Sequence, residues 1–472
     1  MENFAGAFER HPEYTAEIAA EWRLMRDAYR GESAIKKRGE VYLKPLDGWA
    51  ERLDGGASKY SKFIFNARFP EIVSSAIRGM VGIAHGQEWQ IEMPNALMHL
   101  WENSDGKGLP LEALSKRITK ELLITGRYAL MADAPPEGGD IYLAGYTAEE
   151  VVNWSEDDDF YVLREEINDR SGEVWTRAIR KRVLELEDGR YVQRVYLDDL
   201  LEAEYQPRAR GGAALDMIPL TIGGAMDLDL TPDTPPLMGV ARASWSHYQI
   251  YALYRNALEL GVSSTLVGFD VATPPKAIGP GVYVDVKSSE AHQADLRYVT
   301  PEGLEIESLV LAMDRENQSA VRSGAQLFDN SKSNAQESGE ARRLRFSAET
   351  ATLSSIVGAS GTILERTLKQ AAIMAGANPD EVVVSPPQNL LEGRLDPQEI
   401  TALLAAWKDG GISYQTLYEN LQRGRIASPE RDADEESDLL DDEGDGGNDP
   451  PDPASLAALR ALQEQALGSV SV

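Results

Sequence analysis

Apolar side chains recur every three or four residues in three stretches of the first third of the chain, which is the pattern of amphipathic helices. The predicted helices are residues 12–31, 66–83 and 110–125. A polar, Gly-rich stretch before the second of them, up to Lys62, lacks this period and is predicted to be a loop. Gly126 ends the third helix, and a strand is predicted to follow at once.

Residues 128–224 have a different pattern, with short apolar runs separated by Asp, Gly and Glu. The runs are residues 128–132, 141–144, 160–164, 174–178 and 190–196. Such short runs between turn-forming residues predict a small, mostly antiparallel β region.

Two long helices are predicted next, at residues 237–261 and 304–328, on either side of an insert. The insert, 263–303, is rich in Val, Pro and Gly and has no helical period, so it is predicted to be compact and to contain β structure. At ~1.5 Å per residue the first helix would span about 37 Å. The pattern therefore indicates a pair of rods joined by a small β element.

The last third of the chain opens with DNSKSNAQESG, residues 329–339, which is polar, lacks a period and is predicted to be a mobile loop. A helix is predicted from 340 to 375 and two short helices within 397–423. The tract 429–453 carries twelve acids and one base, and self-repulsion predicts that it is disordered. A short amphipathic helix is predicted at 454–467.

Composition narrows the classes of protein. With 42% apolar residues among 472, the chain can bury a substantial core, and the element pattern predicts an α+β protein. A formal charge of −30 argues against a protein that wraps nucleic acid by neutralising phosphates. The N-terminus does not resemble a signal peptide and no window approaches ~20 apolar residues, so we expect a soluble protein made in the cytoplasm, without membrane contact.

Candidate chemistry is sparse. The chain has no cysteine, and its five histidines are too far apart for a local metal-ligand pair. Residues 106–108 and 358–361 do not fit a phosphate-binding loop or a nucleophile elbow. Acids at Asp157–Asp159 and at Asp227 with Asp229 could pair around magnesium, but in an acidic chain such groups are usually solvated. We expect no catalytic residue, no cofactor and no metal.

Three arginines follow the predicted mobile loop, at Arg342, Arg343 and Arg345. They could form an ordinary solvated or acid-paired helix face. They could also meet phosphates or a neighbouring subunit. The sequence leaves both possibilities open.

Several segments together resemble the portal family of tailed bacteriophages, long catalogued under a domain of unknown function. The most specific are LITGRYALMAD (123–133), followed by YL (142–143), and YTAEEVVNW (146–154); the family has a leucine-rich helix into TGRYGLLVD, then PYL, then Y-x-A-E-x-I-I-N-W. The other segments are YLKPL (42–46), NAR (66–68) leading to GMVG (79–82), IPL (218–220), SGEARRLR (338–345) and GGIS (410–413). The resemblance covers most of residues 40–425 and departs at 262–265, where VSST replaces G-Q-P-T.

The resemblance implies an α+β portal fold with a wing, a two-helix stem, a small β-containing clip and a helical crown, in a subunit that assembles as a ring of about twelve. The implied parts are the wing (1–236), stem helices (237–262 and 304–328), clip (263–303), tunnel loop (329–339), further wing and crown helices (340–428) and an acidic tail (429–472). The residues expected to face DNA in the channel are Asn330, Lys332, Asn334, Gln336, Arg342, Arg343 and Arg345.

The implied function is a channel at one capsid vertex through which the genome is packaged and ejected, not an enzyme. The implied partners are the terminase large subunit, a head–tail adaptor, the major capsid and scaffolding proteins, and double-stranded DNA in transit. The implied location is the virion, after assembly in the host cytoplasm. Two alternatives stay open: another minor capsid-associated head protein, and a metal-dependent nuclease using Asp157–Asp159 or Asp227.

Overall fold

The computed structural model describes most of the 472 residues. The described residues are 9–47, 49, 56–135, 138–171, 174–262, 265–271, 294–299, 306–323, 339–387, 397–408, 410–423, 426–427 and 431–444. Within them the chain is α+β, as the sequence predicted, and it forms two compact units, residues 1–390 and 391–472.

The α-helices described in the first unit lie both before and after its β region in the sequence. They are α1 (Ala16–Arg30), α2 (Glu32–Lys37), α3 (Gly56–Asn66), α4 (Ile72–Ala84), α5 (Leu111–Thr125), α6 (Met238–Val262), α7 (Ile306–Arg322) and α8 (Gly339–Ala375). The second unit contains α9 (Pro397–Lys408), α10 (Tyr414–Arg423) and α11 (Ala433–Gly444). In the described residues no helix is both long and apolar enough to cross a membrane.

The strands of the described residues all pair antiparallel. They are β1 (Gln90–Glu92), β2 (Arg127–Asp133), β3 (Tyr142–Thr147), β4 (Val151–Trp154), β5 (Phe160–Ser171), β6 (Val174–Glu187), β7 (Arg190–Leu197), β8 (Leu200–Tyr205), β9 (Leu220–Gly224), β10 (Thr265–Phe269), β11 (Asp295–Val299) and β12 (Val383–Ser385). They form sheets in the orders β1-β12, β10-β11, β3-β2-β9 and β4-β5-β6-β7-β8. The predicted antiparallel β region is thereby confirmed.

The core of the first unit lies between α1, α4, α5 and α8 and the β3-β2-β9 sheet. All seven residues of β2 are buried, because α5 and α8 pack against the sheet that it centres. Gly126 ends α5 in the left-handed conformation, φ 75°, so that β2 can turn back at once. Gly223 in β9 has no room for a side chain, since a Cβ there would lie 2.6 Å from Ile363 of α8.

Two strands of the five-stranded sheet, β5 and β6, extend beyond the other three. β5 pairs with β6 along its full length, from Phe160 with Glu185 to Ser171 with Val174. β7 pairs with β6 only as far as Arg180. Residues 166–171 and 174–179 therefore form a two-stranded ribbon, here called the β-arm, against which no third strand pairs in the described part of the chain.

The first helices differ in their bounds from the sequence prediction. Helix α1 begins at Ala16 and not at residue 12, because the Thr15 hydroxyl caps it by accepting from the Ile18 amide at 3.3 Å. The predicted helix 66–83 is wrong at its start, because Pro70 disfavours helix in the residue before it and α4 begins only at Ile72.

The predicted loop before Lys62 is also wrong, since α3 covers Gly56–Asn66. Two contacts that local sequence does not show stabilise this helix. The Tyr60 hydroxyl donates to the Leu43 carbonyl at 2.7 Å, and Phe63 is buried edge-on against Trp49, with ring centroids 5.4 Å apart.

Helix α11 lies inside the acidic tract for which the sequence predicted disorder. Its N-cap is Asp432, whose Oδ1 accepts from the amides of Asp434 and Glu435 at 3.0 and 2.8 Å. Acids in the first turn favour a helix because they interact with the positive end of its dipole. Arg431 also donates to Glu436 at 3.0 Å. Local capping here outweighs the repulsion on which the prediction depended.

Other predictions concern residues outside the described ones. They are residues 324–338, which include almost all of the predicted mobile loop, most of the insert 263–303, and the terminal helix predicted at 454–467.

Candidate assembly and channel site

The helices α6 and α7, with β10 and β11 between them, form a helical hairpin. At ~1.5 Å per residue, the 25 residues of α6 span about 37 Å and the 17 of α7 about 25 Å. Gly239 near the start of α6 faces Ser323 just after α7, where a Cβ would lie 3.0 Å from the serine Cβ. At the other end β10 and β11 pair from Thr265 with Val299 to Phe269 with Asp295. The sequence prediction of two long helices around a small β element is confirmed within the described residues.

The first half of α6 is rooted in the core of the unit. Its buried residues are Met238, Val240, Ala241, Ala243, Ser244, Tyr248 and Ala252. Tyr248 packs edge-on against Phe69, with ring centroids 6.1 Å apart. Beyond Ala252 no residue of α6 with a described side chain is fully buried, so the helix leaves the core there.

A segment near the N-terminus fixes the root of α6. The Tyr42 carbonyl accepts from Trp245 Nε1 at 2.7 Å and from Gln249 Nε2 at 3.0 Å, both on α6. The Tyr42 hydroxyl donates to Asp27 Oδ2 at 2.8 Å, and Arg38 donates to the same oxygen at 2.8 Å. Burial raises the pKa of Tyr42, and the hydrogen bond to Asp27 raises it further. Tyr42 therefore connects α1 with α6.

The sequence indicates Tyr42 only as part of a family-like segment and predicts no role for Trp245 or Gln249. The sequence around Trp245 does indicate a buried position. A tryptophan is unusual in the middle of a helix exposed to solvent, and His247 and Tyr248 follow it closely. The carbonyl that Trp245 contacts lies 203 residues away in the sequence, so no local pattern identifies the pair.

His247 lies on the face of α6 that approaches α7. Its Nδ1 is buried and has no hydrogen-bond partner among the described residues. Burial lowers the pKa of His247, while Glu316 and Asp314 of α7 act in the opposite direction. The neutral imidazole is thus the stable form between the two helices at neutral pH.

The far end of the hairpin exposes apolar side chains that the described residues leave uncovered. They are Leu253 and Leu260 of α6, Val310 and Leu311 of α7, and Phe269, Tyr298 and Val299 of the strands, each 39–58% exposed. Arg297 lies 4.4 Å from the Phe269 ring centroid. A concentration of exposed apolar residues on one projecting element is typical of a protein–protein contact.

The described contacts include none between the residues predicted to face DNA. Asn330, Lys332, Asn334 and Gln336 lie outside the described residues. Arg342, Arg343 and Arg345 lie at the start of α8, a helix as the sequence predicted, and their side chains are outside the described set. Their role stays a prediction.

Two of the acids considered for metal chemistry line the same cavity. Asp158 and Asp229 line one cavity of about 560 Å³, together with Glu13, Glu156 and Arg366 among others. However, among the described residues no group of three His, Asp or Glu side chains is arranged to hold a metal ion.

The hydrogen bonds of these acids are local. Asp158 accepts from the Tyr161 hydroxyl, Asp227 Oδ1 from the Asp229 amide at 2.9 Å, and Asp229 Oδ1 from the Thr231 amide at 3.2 Å. These bonds order turns, which is the ordinary structural use of aspartate.

Beside this cavity Trp154 stacks with His11, at a centroid distance of 4.0 Å, and with the guanidinium of Arg127, at 4.1 Å. Arg127 is 1% exposed, and its three guanidinium nitrogens have no hydrogen-bond partner among the described residues. Burial lowers its pKa to about 10, so the side chain stays protonated at neutral pH. The contact anchors the start of the chain to β4, which sequence reasoning missed.

Comparison with known proteins gives two kinds of match. Residues 236–374 match a family model described as a domain of unknown function, DUF4055; the match spans the helical hairpin and ends in α8. No curated protein matches the sequence.

Among solved structures the chain is similar to chains in a gene transfer agent (GTA) particle. One is from the virion of the native particle, with 11% identity, a TM-score of 0.39, and coverage of 74% of this chain and 89% of that one. Another is from the neck of the empty particle, computed with C6 symmetry, with 12% identity, a TM-score of 0.39, and coverage of 75% and 90%. A third, from the neck of the native particle computed with C12 symmetry, has 12% identity, a TM-score of 0.37, and coverage of 74% and 89%. Likeness at this level does not carry a function from one protein to another.

Proposed function

We propose that the chain is a portal subunit that assembles as a ring of about twelve copies around a channel for DNA. The observation that carries the proposal is the helical hairpin. Two long helices project around a small β pair, at the positions along the chain where the sequence resemblance to phage portals requires a stem and a clip. The wing then corresponds to the helices and sheets before residue 237, and residues 340–428 supply further wing helices and the crown.

The hairpin is suited to line a channel because hydrogen bonds fix its root and its far end exposes apolar side chains. The bonds from Trp245 and Gln249 to the Tyr42 carbonyl fix the direction in which α6 leaves the core. The apolar residues at the far end need cover, and neighbouring hairpins in a ring supply it. Each subunit would then use two different surfaces, one toward each neighbour, as a closed ring requires.

A net negative chain suits a channel through which DNA moves. Walls that neutralised many phosphates would release counterions and hold the duplex in place. At −30 per copy the ring repels the backbone, so DNA slides. The proposed points of passing contact are Asn330, Lys332, Asn334 and Gln336 in the tunnel loop and Arg342, Arg343 and Arg345 at the start of α8.

The proposed partners follow from this role. During packaging in the host cytoplasm the ring docks the terminase large subunit, whose ATPase supplies the force, and it contacts the major capsid and scaffolding proteins. In the finished virion a head–tail adaptor replaces the terminase at the clip, and the genome later leaves through the same channel.

The mass of the purified assembly tests the proposal. Native mass spectrometry should give one dominant species of about twelve subunits, with a central hole in electron-microscopy class averages. A protein that stays monomeric or dimeric at every concentration, also when co-expressed with scaffolding protein, would instead favour another head protein without a ring.

We also propose that the chain is not an enzyme. Incubation with plasmid DNA and magnesium or manganese tests this point, with Asp227→Ala as the matched variant. We expect no cleavage by either protein. Cleavage by the wild type that Asp227→Ala abolishes would make the chain a nuclease.

A further inference from the structure

The β-arm projects from the five-stranded sheet as a ribbon of only two strands. Its six residue pairs extend the ribbon about 20 Å beyond the last pair between β6 and β7. Two-stranded ribbons are at best marginally stable in water, so a long one is usually held by something packed on a face.

One face of this ribbon is basic and aromatic. Directly paired residues share a face, and the pairs on this one are Arg170 with Trp175, Asn168 with Arg177, Glu166 with Ile179 and, at the base, Arg164 with Lys181. We call these eight residues the cationic arm face. Trp175 is 65% exposed, and the Arg170 guanidinium lies 5.7 Å from its ring centroid.

Charge is distributed unevenly along the cationic arm face. It carries four cations and one carboxylate, in a chain whose formal charge is −30. Near the base, Arg164 pairs with Glu166 at 3.0 Å and Lys181 pairs with Asp199 at 2.6 Å. The outer part of the face carries Arg170, Arg177 and Trp175. Arginine and tryptophan are the residues most enriched in the energetic centres of protein interfaces.

The chemistry of this face favours an acidic protein surface over nucleic acid. DNA binding gains its free energy from neutralising many phosphates, and two outer arginines on a strongly negative chain offer too few. A carboxylate-rich protein surface needs only a few matched pairs around one buried aromatic anchor.

A second copy of this chain, with its formal charge of −30, is an acidic partner of this kind. Copies that each carry −30 repel one another, so ring closure needs local sites of opposite charge that set how neighbours meet. We propose that the cationic arm face binds a carboxylate-rich surface on the neighbouring copy, with Trp175 as the apolar anchor. This inference rests on the proposed ring and adds to it one of the two unlike surfaces of its interface.

A charge-reversal experiment tests the proposal. The double variant Arg170→Glu with Arg177→Glu should raise, by about tenfold or more, the protein concentration at which half of the chains are assembled. The control is Lys107→Glu, which reverses an exposed cation in the turn before α5 and should change that concentration less than about twofold. Native mass spectrometry over a dilution series measures both. Assembly of the double variant at the wild-type concentration would overturn the proposal.

A photo-cross-linker in place of Trp175 gives an independent readout. We expect a covalent dimer of two copies, with the cross-linked peptide rich in Asp and Glu. An assembled ring without that dimer would overturn the proposal, and so would DNA binding that the double variant loses while it assembles normally. If the wild type forms no rings, the ring proposal fails by itself, and the cross-link still decides whether the arm binds a second copy.

Discussion

Tyr42 shows, at the scale of single residues, how distant parts of the chain are joined. Its carbonyl accepts from two side chains of α6, and its hydroxyl donates to Asp27, which is 2% exposed on α1. A buried carboxylate needs such donors, because leaving one of its oxygens without a partner costs free energy. The position at which α6 leaves the core therefore depends on a residue about two hundred positions earlier.

Tyr42→Phe tests this connection. The variant keeps the ring and the carbonyl but removes the 2.8 Å hydrogen bond to Asp27. We expect the free energy of unfolding to fall by about 1–2 kcal/mol, measured by urea denaturation. Tyr298→Phe is the control, since Tyr298 is 58% exposed and its hydroxyl should contribute little. Equal stability of both variants would contradict the role given to Tyr42.

His85 predicts a dependence of stability on pH. Its Nε2 lies 3.0 Å from the Thr119 hydroxyl, and its ring stacks on Trp89 with centroids 4.8 Å apart. Burial lowers the pKa of His85 from 6.5 to about 4, with Lys116 lowering it further and Glu112 opposing. The unfolded chain therefore binds the proton first. The stabilisation is fully present above pH 6.5 and is lost as the pH falls toward 4.

The size of this effect can be measured by substitution. Because His85 is only partly enclosed, we expect the wild type to lose about 1–2 kcal/mol of unfolding free energy through this group between about pH 7.5 and pH 4.5. His85→Gln keeps a polar partner for Thr119 but cannot titrate, so its urea midpoint should fall less over the same range. A variant with the wild-type pH slope would show that His85 does not cause it.

At the scale of elements, α6 divides into a rooted half and a projecting half. Proline at Leu253, just beyond the last buried position, removes a helical hydrogen bond and costs about 3 kcal/mol locally. We expect Leu253→Pro to remain folded, with a near wild-type circular dichroism melt, but to lose assembly. Leu253→Ala is the control and should still assemble. Rings formed by Leu253→Pro would mean that this part of α6 does not contribute to the assembly.

The capped helix α11 gives a second prediction at this scale. Asp432→Ala removes the side-chain oxygen that accepts from two amides of the first turn and should cost about 1 kcal/mol. Hydrogen exchange of residues 433–444 should accelerate accordingly. Asp434→Ala keeps the cap and should have a smaller effect. Unchanged exchange in Asp432→Ala would mean that the cap does not support the helix.

Elements with strong local patterns were predictable from sequence, and those set by distant contacts were not. The period of α5 and its Gly126 cap are local, so that helix was predicted within one residue. The long helix α6 and the antiparallel β region were likewise visible. Helix α3 was missed because Tyr60 and Phe63 are fixed by Leu43 and Trp49.

The candidate site was predictable only in outline. Residue spacing was enough to predict two long helices around a β insert. It could not show that the Tyr42 carbonyl accepts a hydrogen bond from Trp245, because backbone groups have no sequence signature. The arm was overlooked although β6 carries Arg177, Arg180, Lys181 and Arg182 within six residues of an acidic chain. Its face became recognisable only from the strand register.

At the scale of the whole molecule, the exposed surfaces of one chain differ in their chemistry. The far end of the hairpin is apolar, the cationic arm face is basic, and the formal charge of the chain is −30. Neither exposed surface is covered by the described part of the chain. In the proposed ring, contacts between identical subunits would cover both kinds of surface, and the remaining negative charge would keep a passing duplex from binding.

A cryo-electron-microscopy reconstruction of the purified assembly tests the central claim most directly. The account predicts a closed ring of about twelve subunits in which α6 and α7 of every copy border one central channel wide enough for a DNA duplex. A ring with the helical hairpins on its outer rim, or particles without a through channel, would contradict it.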